Sequence, residues 1–252
     1  MTRLTAIILT YNEAENIKDC LDSLTFADTR IVFDSGSSDD TVDIARQAGA
    51  QVIRHDFENF AAQRNAALKA VETDSDWVLF VDADERVTPE LAEEVRQVII
   101  NPRAVGYRIP RYNYIFGKLT KGAGWYPDYQ TRLLRVGRCH YDPERPVHEI
   151  VLLDGEEDTL QNHFIHYNYK DMRQFIAKQR KYVQFDAQIM FEQDIKPKPQ
   201  NYILQPLRHF SWRFFELKGY QEGWHGFRLS AVMAWYEFRK YQLLGGLWRK
   251  KG

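Results

Sequence analysis

The sequence lacks several features that would place it in a specialised class. Its 252 residues include only two cysteines, Cys20 and Cys139, too few for a disulfide framework and consistent with a reducing cytosol. No apolar run is long enough to span a bilayer, and the N-terminus lacks the apolar region and cleavage site of a signal peptide. The formal net charge of −1 predicts no nucleic-acid partner. We therefore expect an ordinary globular protein of the cytoplasm, with either one sizeable core and an appendage or two small domains.

Strand and helix signals alternate along the first hundred residues. Four short apolar runs have the character of strands buried on both faces, and each is followed by a segment with helical spacing or a helix-starting signal. The runs are 6–9, 31–33, 51–53 and 77–81, and the helical segments are 15–24, 37–48, 59–70 and one beginning at Thr88-Pro89. This alternation predicts an α/β fold with a central, mostly parallel sheet flanked by helices. Ligands of such sheets bind beyond the carboxyl ends of the strands.

Two aspartates directly follow the fourth apolar run. Asp82 and Asp84 are two residues apart, so their side chains point the same way while the chain stays extended. Two carboxylates held in this way suit Mg²⁺ or Mn²⁺ bridging a diphosphate, and an aspartate-rich turn is the alternative. The next residues, Glu85 and Arg86, are expected to form an exposed pair.

Four polar segments together resemble a known family. They are Thr10-Tyr11-Asn12-Glu13, Asp34-Ser35-Gly36-Ser37, Gln63-Arg64-Asn65 and Asp82-Ala83-Asp84. In this order they resemble the donor half of a family 2 glycosyltransferase with the Rossmann-like GT-A fold of nucleotide-diphospho-sugar transferases. A later block, at 124–128, 132–135 and 147–149, resembles the bacterial branch that includes the lipopolysaccharide-core β-glucosyltransferases. The resemblance covers nearly the whole chain.

That resemblance implies an activity and its partners. The expected reaction is a metal-dependent, inverting transfer of a hexose from a nucleoside-diphosphate sugar, with UDP-glucose the leading donor. The acceptor would be a saccharide or a lipid-linked molecule in the synthesis of cell-envelope polysaccharide or lipopolysaccharide. The expected location is cytoplasmic and peripheral on the inner face of the cytoplasmic membrane. The oligomeric state is left open.

The resemblance also assigns residues to the nucleotide sugar, and most have a structural alternative. Tyr11 could stack on uracil or be a strand-end aromatic, and Asp34 could accept a hydrogen bond from the base or close an Asx turn. Arg64 could bind the diphosphate through its planar guanidinium or be a surface helix arginine. The full set is Thr10, Tyr11, Asn12, Glu13, Asp34, Ser35, Arg64, Asp82, Ala83, Trp125 and Arg132. Within it Glu13 could contact the ribose or be a first-turn helix acid, and Trp125 could stack on a sugar or pack in the core.

The metal ligands and the catalytic base follow from the same resemblance. Asp84 would bind Mn²⁺ or Mg²⁺ directly, while Asp82 would reach the ribose or the water shell of the metal. His166 is a candidate later ligand, with a plain hydrogen-bonded histidine as the alternative. The metal would neutralise charge on the leaving diphosphate.

The general base that an inverting transfer needs is not fixed, because the Glu-Asp motif of many family members is absent in its common form. Asp128 and Glu149 are equal candidates. The alternatives are a Pro-Asp turn for Asp128 and a salt bridge for Glu149.

The last fifty residues differ in composition from the rest. Residues 201–252 contain nine lysines or arginines, three acids and four of the six tryptophans. We expect a catalytic domain at 1–200, with a nucleotide-sugar half at 1–100 and an acceptor half at 101–200, followed by amphipathic helices at 201–252. Helices are expected at about 170–193, 204–217 and 226–244. The aromatic and basic tail fits a helix pair in the membrane interface, or packing against the catalytic domain or a second subunit.

Two other functions compete with sugar transfer. A nucleotidyltransferase shares the α/β core and the metal carboxylates, but no glycine-rich, basic nucleotide loop follows the first strand. A catalytically silent, membrane-associated scaffold that binds carbohydrate or nucleotide would not need the carboxylate pair or the two candidate bases.

Overall fold

The chain forms a mixed sheet with flanking helices, followed by a helical region. A computed structural model describes residues 2–143 and 150–251. Its elements run in the order β1 (Leu4–Thr10), α1 (Ile17–Asp22), β2 (Thr29–Asp34), α2 (Thr41–Gln47), β3 (Gln51–Arg54), α3 (Phe60–Ala70), β4 (Trp77–Asp82), β5 (Glu85–Val87), α4 (Pro89–Ile100), β6 (Gly106–Ile115), β7 (Lys118–Leu119), β8 (Tyr129–Arg135), β9 (Cys139–Tyr141), β10 (Val151–Leu153), β11 (Glu157–Thr159), β12 (Phe164–Tyr169), α5 (Met172–Glu192), α6 (Asn201–Ser211) and α7 (Trp224–Lys251). A π-helical turn (Trp212–Glu216) and a 3₁₀ turn (Gly219–Glu222) lie between α6 and α7.

The first four long strands pair in parallel, as the sequence predicts. β1 lies between β2 and β4, and β3 extends the sheet beyond β2. Ile7 and Ile8 of β1 are both fully buried although they point to opposite faces, because apolar clusters cover the sheet on each side. The register places Thr10 beside Asp34 and Leu9 beside Asp82. The predicted polar strand ends therefore share one edge of the sheet.

Beyond β4 the sheet becomes antiparallel. β8 pairs antiparallel with β4, and β6 pairs antiparallel with β8. The strand order is β3-β2-β1-β4-β8-β6-β12-β5, with β7 and β11 also pairing with β6. Residues 105–111 and 131–136, whose sequences favour strands, lie largely within β6 and β8.

Two of the predicted helix starts are confirmed and one is wrong. Asn59 caps α3 by accepting the N–H of Ala62, and Thr88 caps α4 ahead of Pro89. The segment expected to be helical from residue 37 begins only at Thr41. The reason is that the Ser37 hydroxyl donates to Asp34 instead of capping a helix.

The structure separates into two compact units. The first comprises Met1–Arg111 and Asp128–His166, and the second comprises Tyr112–Pro127 and Tyr167–Gly252. These units differ from the division at residue 200 that the sequence suggested.

In the second unit α7 packs against both α5 and α6. The buried residues of the second unit include Ile115, Tyr169, Phe175 and Leu229. The helices expected at 204–217 and 226–244 are longer or shifted, as α6 with its π-helical turn and as α7. In the described part of the chain, no helix combines the length and apolar character needed to cross a bilayer.

Candidate active site

The loop after β2 is organised around Asp34. This carboxylate is buried and accepts hydrogen bonds from the Thr10 hydroxyl at 3.0 Å and from the backbone N–H groups of Gly36 and Ser37 at 2.9 Å each. Gly36 has a φ of +86°, which favours glycine. Asp34 therefore does close an Asx-type turn, and it also places Ser35 at the sheet edge.

The loop after β1 is tied to the loop after β2. Asn12, at a φ of +56°, accepts the N–H of Ser38 through its side-chain oxygen at 2.8 Å, and its own N–H donates to the Ser37 hydroxyl at 2.9 Å. Tyr11 is left 62% exposed at the edge, so its ring is accessible to a planar ligand. The Glu13 carboxylate accepts a hydrogen bond from Asn16 at 2.8 Å.

Gln63 joins α3 to the same edge. It is buried, and its amide donates to the Ser35 hydroxyl at 3.0 Å while its oxygen lies 2.7 Å from Nδ1 of His55. These contacts fix the start of α3 beside the end of β2.

Arg64, the next residue on α3, is not a surface arginine. Its side chain is 3% exposed, and its guanidinium lies 4.9 Å from the Phe80 ring and 5.6 Å from the Tyr141 ring. Nη2 reaches to 3.4 Å from Oδ1 of Asp82. Burial between two rings orients the charged group toward the end of β4.

Asp82 lies between two arginines. The second is Arg132 of β8, also buried, whose Nη2 donates to Oδ2 of Asp82. Burial alone would raise the pKa of Asp82, but the positive charges of Arg132 and Arg64 outweigh it and hold this pKa well below its usual range. Asp82 is therefore an ionised carboxylate whose two oxygens both face arginines.

Asp84 has a different neighbour. Its Oδ2 lies 3.5 Å from Nε2 of His166, because β12 pairs antiparallel with β5 and places His166 opposite Glu85. Ala83, between the two aspartates, is buried. Asp84 and His166 thus face each other at the end of β4, while Asp82 faces the arginines.

The pair of Asp84 and His166 fits two neighbouring positions around one divalent ion. Two ligands at about 2.1 Å from an octahedral metal are about 3 Å apart, close to the observed separation. Carboxylate oxygen and imidazole nitrogen are both ligands for Mn²⁺. Among the described residues, no group of three or more His, Cys, Asp or Glu side chains is placed to hold a metal ion.

Glu85 corrects the expectation of an exposed pair with Arg86. Its side chain is fully buried, because β5 pairs with β12. One carboxylate oxygen accepts the backbone N–H of Asp82 at 2.9 Å, and the other accepts from Arg111 at 3.0 Å. Glu85 therefore connects the Asp82–Asp84 turn to β6.

Arg111 extends this connection to Asp128. Its Nε and Nη2 donate to Oδ2 of Asp128 at 2.9 and 2.7 Å. Burial would lower the pKa of Arg111, but Glu85 and Asp128 raise it above its usual value. The second oxygen of Asp128 accepts from Gln130 at 3.2 Å. One candidate base is therefore part of a charged chain, Glu85–Arg111–Asp128.

The other residues considered from the sequence lie elsewhere. Glu149, the second candidate base, falls outside the described residues. Trp125 belongs to the second unit, where its ring makes edge contacts with Tyr169 and Phe175 and its carbonyl accepts from Asn113 at 2.9 Å. Of the two roles considered for Trp125, stacking on a sugar or packing in the core, these contacts correspond to packing in the core.

Sequence reasoning did not single out Arg111, and it misjudged Glu85. Neither lies in a motif, and the signal for both is non-local pairing of strands. The one hint in the sequence is that Arg111 is a charged residue in a strand, β6, that is mostly apolar or aromatic, which can indicate a buried ion pair.

The comparisons with known proteins define the class. The model of glycosyl transferase family 2 matches residues 5–143, which is more than half of the chain and includes Asp34, Arg64, Asp82, Asp84 and Asp128. The chain belongs to glycosyl transferase family 2. It is a glycosyltransferase with the GT-A fold, as the strand-end segments predicted.

Similar proteins include both named and uncharacterised enzymes. The lipopolysaccharide core biosynthesis glycosyltransferase LpsC of Rhizobium meliloti (strain 1021) is 26% identical over 93% of this chain and 89% of its own length. An uncharacterized glycosyltransferase of Rickettsia bellii (strain RML369-C) is 26% identical over 94% of this chain and 84% of its own length. A crystal structure of glucosyl-3-phosphoglycerate synthase from Mycobacterium tuberculosis, in complex with Mn²⁺, UDP and glucosyl-3-phosphoglycerate, matches at 23% identity over 44% of each chain, with a TM-score of 0.38.

Proposed function

We propose that this protein transfers glucose from UDP-glucose, with inversion, to a saccharide or lipid-linked acceptor of cell-envelope polysaccharide or lipopolysaccharide. The observation that carries the proposal is the arrangement at the end of β4. Asp84 faces His166 at 3.5 Å, while the adjacent Asp82 is held between Arg64 and Arg132. A diphosphate bound there would meet a metal-binding pair and two arginines together.

The donor's base and ribose would bind at the ends of β1 and β2. Tyr11 offers an exposed ring for stacking on uracil, and the Asp34 turn would place backbone and side-chain groups of residues 34 and 35 against the base. Thr10, Asn12 and Glu13 would complete this part of the site from the loop after β1. The hydrogen bonds between the two loops support a site organised before the donor binds.

Asp84 and His166 would hold Mn²⁺ or Mg²⁺, and Asp82 would reach the ribose or a water of the metal. Bound there, the metal would offset negative charge on the departing diphosphate by Lewis-acid assistance. Arg132 and Arg64 would add positive charge on the other side of Asp82. Their burial supports this role, because a charge shielded from water acts more strongly on a ligand.

The acceptor hydroxyl would lose its proton to Asp128 or Glu149. If Asp128 is the base, Arg111 would hold its carboxylate in place through Oδ2, and the proton would go to the carboxylate as the acceptor hydroxyl attacks. Trp125 remains a candidate sugar contact only through the part of its ring that is not packed in the second unit.

The likeness to LpsC supports an acceptor from the lipopolysaccharide core. Because such acceptors are lipid-linked and sugar nucleotides are cytosolic, we place the enzyme in the cytoplasm, at the inner face of the cytoplasmic membrane. A scaffold without turnover is the alternative, and it predicts no hydrolysis or transfer of any sugar nucleotide.

The test is calorimetric binding of UDP, GDP and ADP, each with and without Mn²⁺, to the wild-type protein and to Asp84→Asn. The expected result is tight binding of UDP alone, strengthened by Mn²⁺ at least about tenfold, which is roughly 1.4 kcal/mol. Asp84→Asn should lose the effect of Mn²⁺ and lose metal-dependent transfer from UDP-glucose, because an amide oxygen is a weak, neutral ligand.

Asp43→Asn is the matched control. Asp43 is an exposed helix acid whose contact is with Arg46, so this variant should bind and turn over like the wild type. Wild-type metal dependence in Asp84→Asn would refute the metal assignment. Failure of folded protein to bind any of the three nucleotides would favour the scaffold.

A further inference from the structure

Helix α6 exposes an apolar face within the second unit. Ile203 is 66% exposed, Leu204 52% and Leu207 62%, and the face continues past the helix through Trp212 and Phe215, at 44% and 58%. We call these five residues the α6 face. An exposed apolar surface of this kind commonly marks a site of interaction with a membrane or another protein.

The opposite side of α6 is already occupied. Tyr202 contacts Phe238 and Tyr241 of α7, and Phe210 contacts Phe227. Tyr241 is buried, so α7 belongs to the interior of this unit. Leu229 and Tyr236 of α7 are buried as well, so these parts of α7 pack within the unit, as in the packing alternative for the tail, and do not face lipid.

The part of the chain that contains the α6 face is positively charged. Residues 201–252 carry a formal charge of +6 in a chain whose total is −1, which leaves −7 for residues 1–200. Helix α6 contains no acid and has the exposed Arg208, and the exposed Glu216 follows Phe215 in the π-helical turn. Helix α5 also exposes Tyr182, Phe185 and Ile189, with the exposed Asp186 among them, but it lies in the negatively charged part of the chain.

Two polar depressions adjoin α6. One, of about 420 Å³, is lined by Tyr202, Arg239, Gln242, Leu243 and Arg249. The other, of about 320 Å³, is lined by Gln205, Arg208, His209, Ser211, Trp212 and Glu216. Only the second depression contains a residue of the α6 face, Trp212, and there Arg208 lines the same depression. Its guanidinium can reach anionic groups while its stem covers apolar surface.

From this geometry we propose that the α6 face binds the surface of an anionic phospholipid membrane. Ile203, Leu204, Leu207, Trp212 and Phe215 enter the boundary between headgroups and acyl chains, and Arg208 contacts lipid phosphates. A second copy of this chain is the less suitable occupant. A two-fold dimer through this face would bring two positively charged surfaces together.

The test is co-sedimentation of the full-length protein with vesicles of phosphatidylcholine alone or mixed with phosphatidylglycerol. The wild type should bind the phosphatidylglycerol vesicles, bind them less as salt is added, and bind phosphatidylcholine weakly. The double variant Ile203→Ser/Leu207→Ser should bind at least about tenfold more weakly. Charge reversal by Arg208→Glu should weaken the preference for phosphatidylglycerol.

Phe185→Ser/Ile189→Ser is the matched control, because it removes two exposed apolar side chains from α5 and should bind like the wild type. Circular dichroism and UDP binding, unchanged in all variants, would show that fold and donor site are intact. The proposal is overturned if the wild type does not bind phosphatidylglycerol vesicles or if the α5 control is as weak as the α6 variant. It is also overturned if sedimentation shows a dimer that Ile203→Ser/Leu207→Ser dissociates.

Discussion

Glu85 is the residue that joins the Asp82–Asp84 turn to the strands beyond it. Its carboxylate has no exposed surface, and it accepts from both the Asp82 backbone and Arg111. A buried ion pair contributes little net stability, but removing one charge leaves the other without compensation. Glu85 therefore matters for stability because its partner is already buried.

We expect Glu85→Gln to lower the free energy of unfolding by about 3 kcal/mol. Glutamine has the same size as glutamate but no charge. Of the two acids that Arg111 contacts, only Asp128 would then remain to balance its charge. Urea denaturation followed by circular dichroism measures the change. Glu93→Gln, which alters an exposed acid of α4, should stay within about 0.5 kcal/mol of the wild type. Equal stability of the two variants would contradict the role given to Glu85.

At the scale of elements, two histidines make the stability of the second unit depend on pH. Burial, together with the charge of Arg213, lowers the pKa of His209, and burial with Lys118 and Arg228 lowers that of His225. His209 Nε2 accepts from Arg213 at 2.9 Å, so this nitrogen carries no proton. The unfolded chain binds protons more readily at both positions, and stability must fall as pH falls.

The expected decline begins as pH drops through about 6.5, the ordinary pKa of histidine, and continues toward the lower pKa values of the folded state. Above about pH 7 both histidines are neutral in the folded and the unfolded state, so they do not make the free energy of unfolding depend on pH. Thermal unfolding from pH 7.5 to 5.5 measures the decline in stability. His209→Gln/His225→Gln should flatten the profile, whereas the exposed His140→Gln should keep it. An unchanged profile in the double variant would refute this origin.

Helix α7 contains two glycines with opposite surroundings. A Cβ on Gly226 would lie 1.9 Å from the carbonyl oxygen of Gly219, whereas a Cβ on Gly246 would meet no atom within 4 Å. Gly226→Ala should therefore destabilise the protein by about 2–3 kcal/mol, since backbone has to move. Gly246→Ala should stabilise it by up to about 1 kcal/mol, because alanine favours helix. The denaturant midpoints of the two variants should shift in opposite directions. Shifts in the same direction would argue against the close contact between Gly226 of α7 and Gly219 of the 3₁₀ turn.

Local patterns were sufficient to predict the parallel part of the sheet and the edge at which the candidate site lies. Continuous apolar runs identified β1, β2 and β4, and parallel strands necessarily bring their carboxyl ends together. The environment of each side chain depended on partners distant in sequence. Glu85 is buried because β5 pairs with β12, and Asp128 meets Arg111 because β8 pairs with β6. Such pairings leave no signature in a short window of sequence.

At the scale of the whole molecule, sequence order and compact units do not coincide. The segment Tyr112–Pro127 belongs with Tyr167–Gly252, while Asp128–His166 belongs with the first 111 residues. Composition distinguished the basic, aromatic tail, but it could not show that a segment ninety residues earlier packs with it. The tail is consequently part of a folded unit and not an appendage that can be removed without damage.

This organisation predicts the result of deleting residues 201–252. Helix α5 buries Phe175, Val183 and Ala187, and α7, which packs against it, would be absent. The exposed apolar side chains should make the truncated protein self-associate and its α5 segment sensitive to protease. Size-exclusion chromatography with light scattering measures the self-association, and limited proteolysis measures the exposure of α5. The control is removal of residues 250–252 alone, which should change neither result because Lys250 and Lys251 are exposed. A monomeric truncated protein with a protease-resistant α5 would instead mean that α5 is stable without α7, and the second unit would then have to be divided near residue 200.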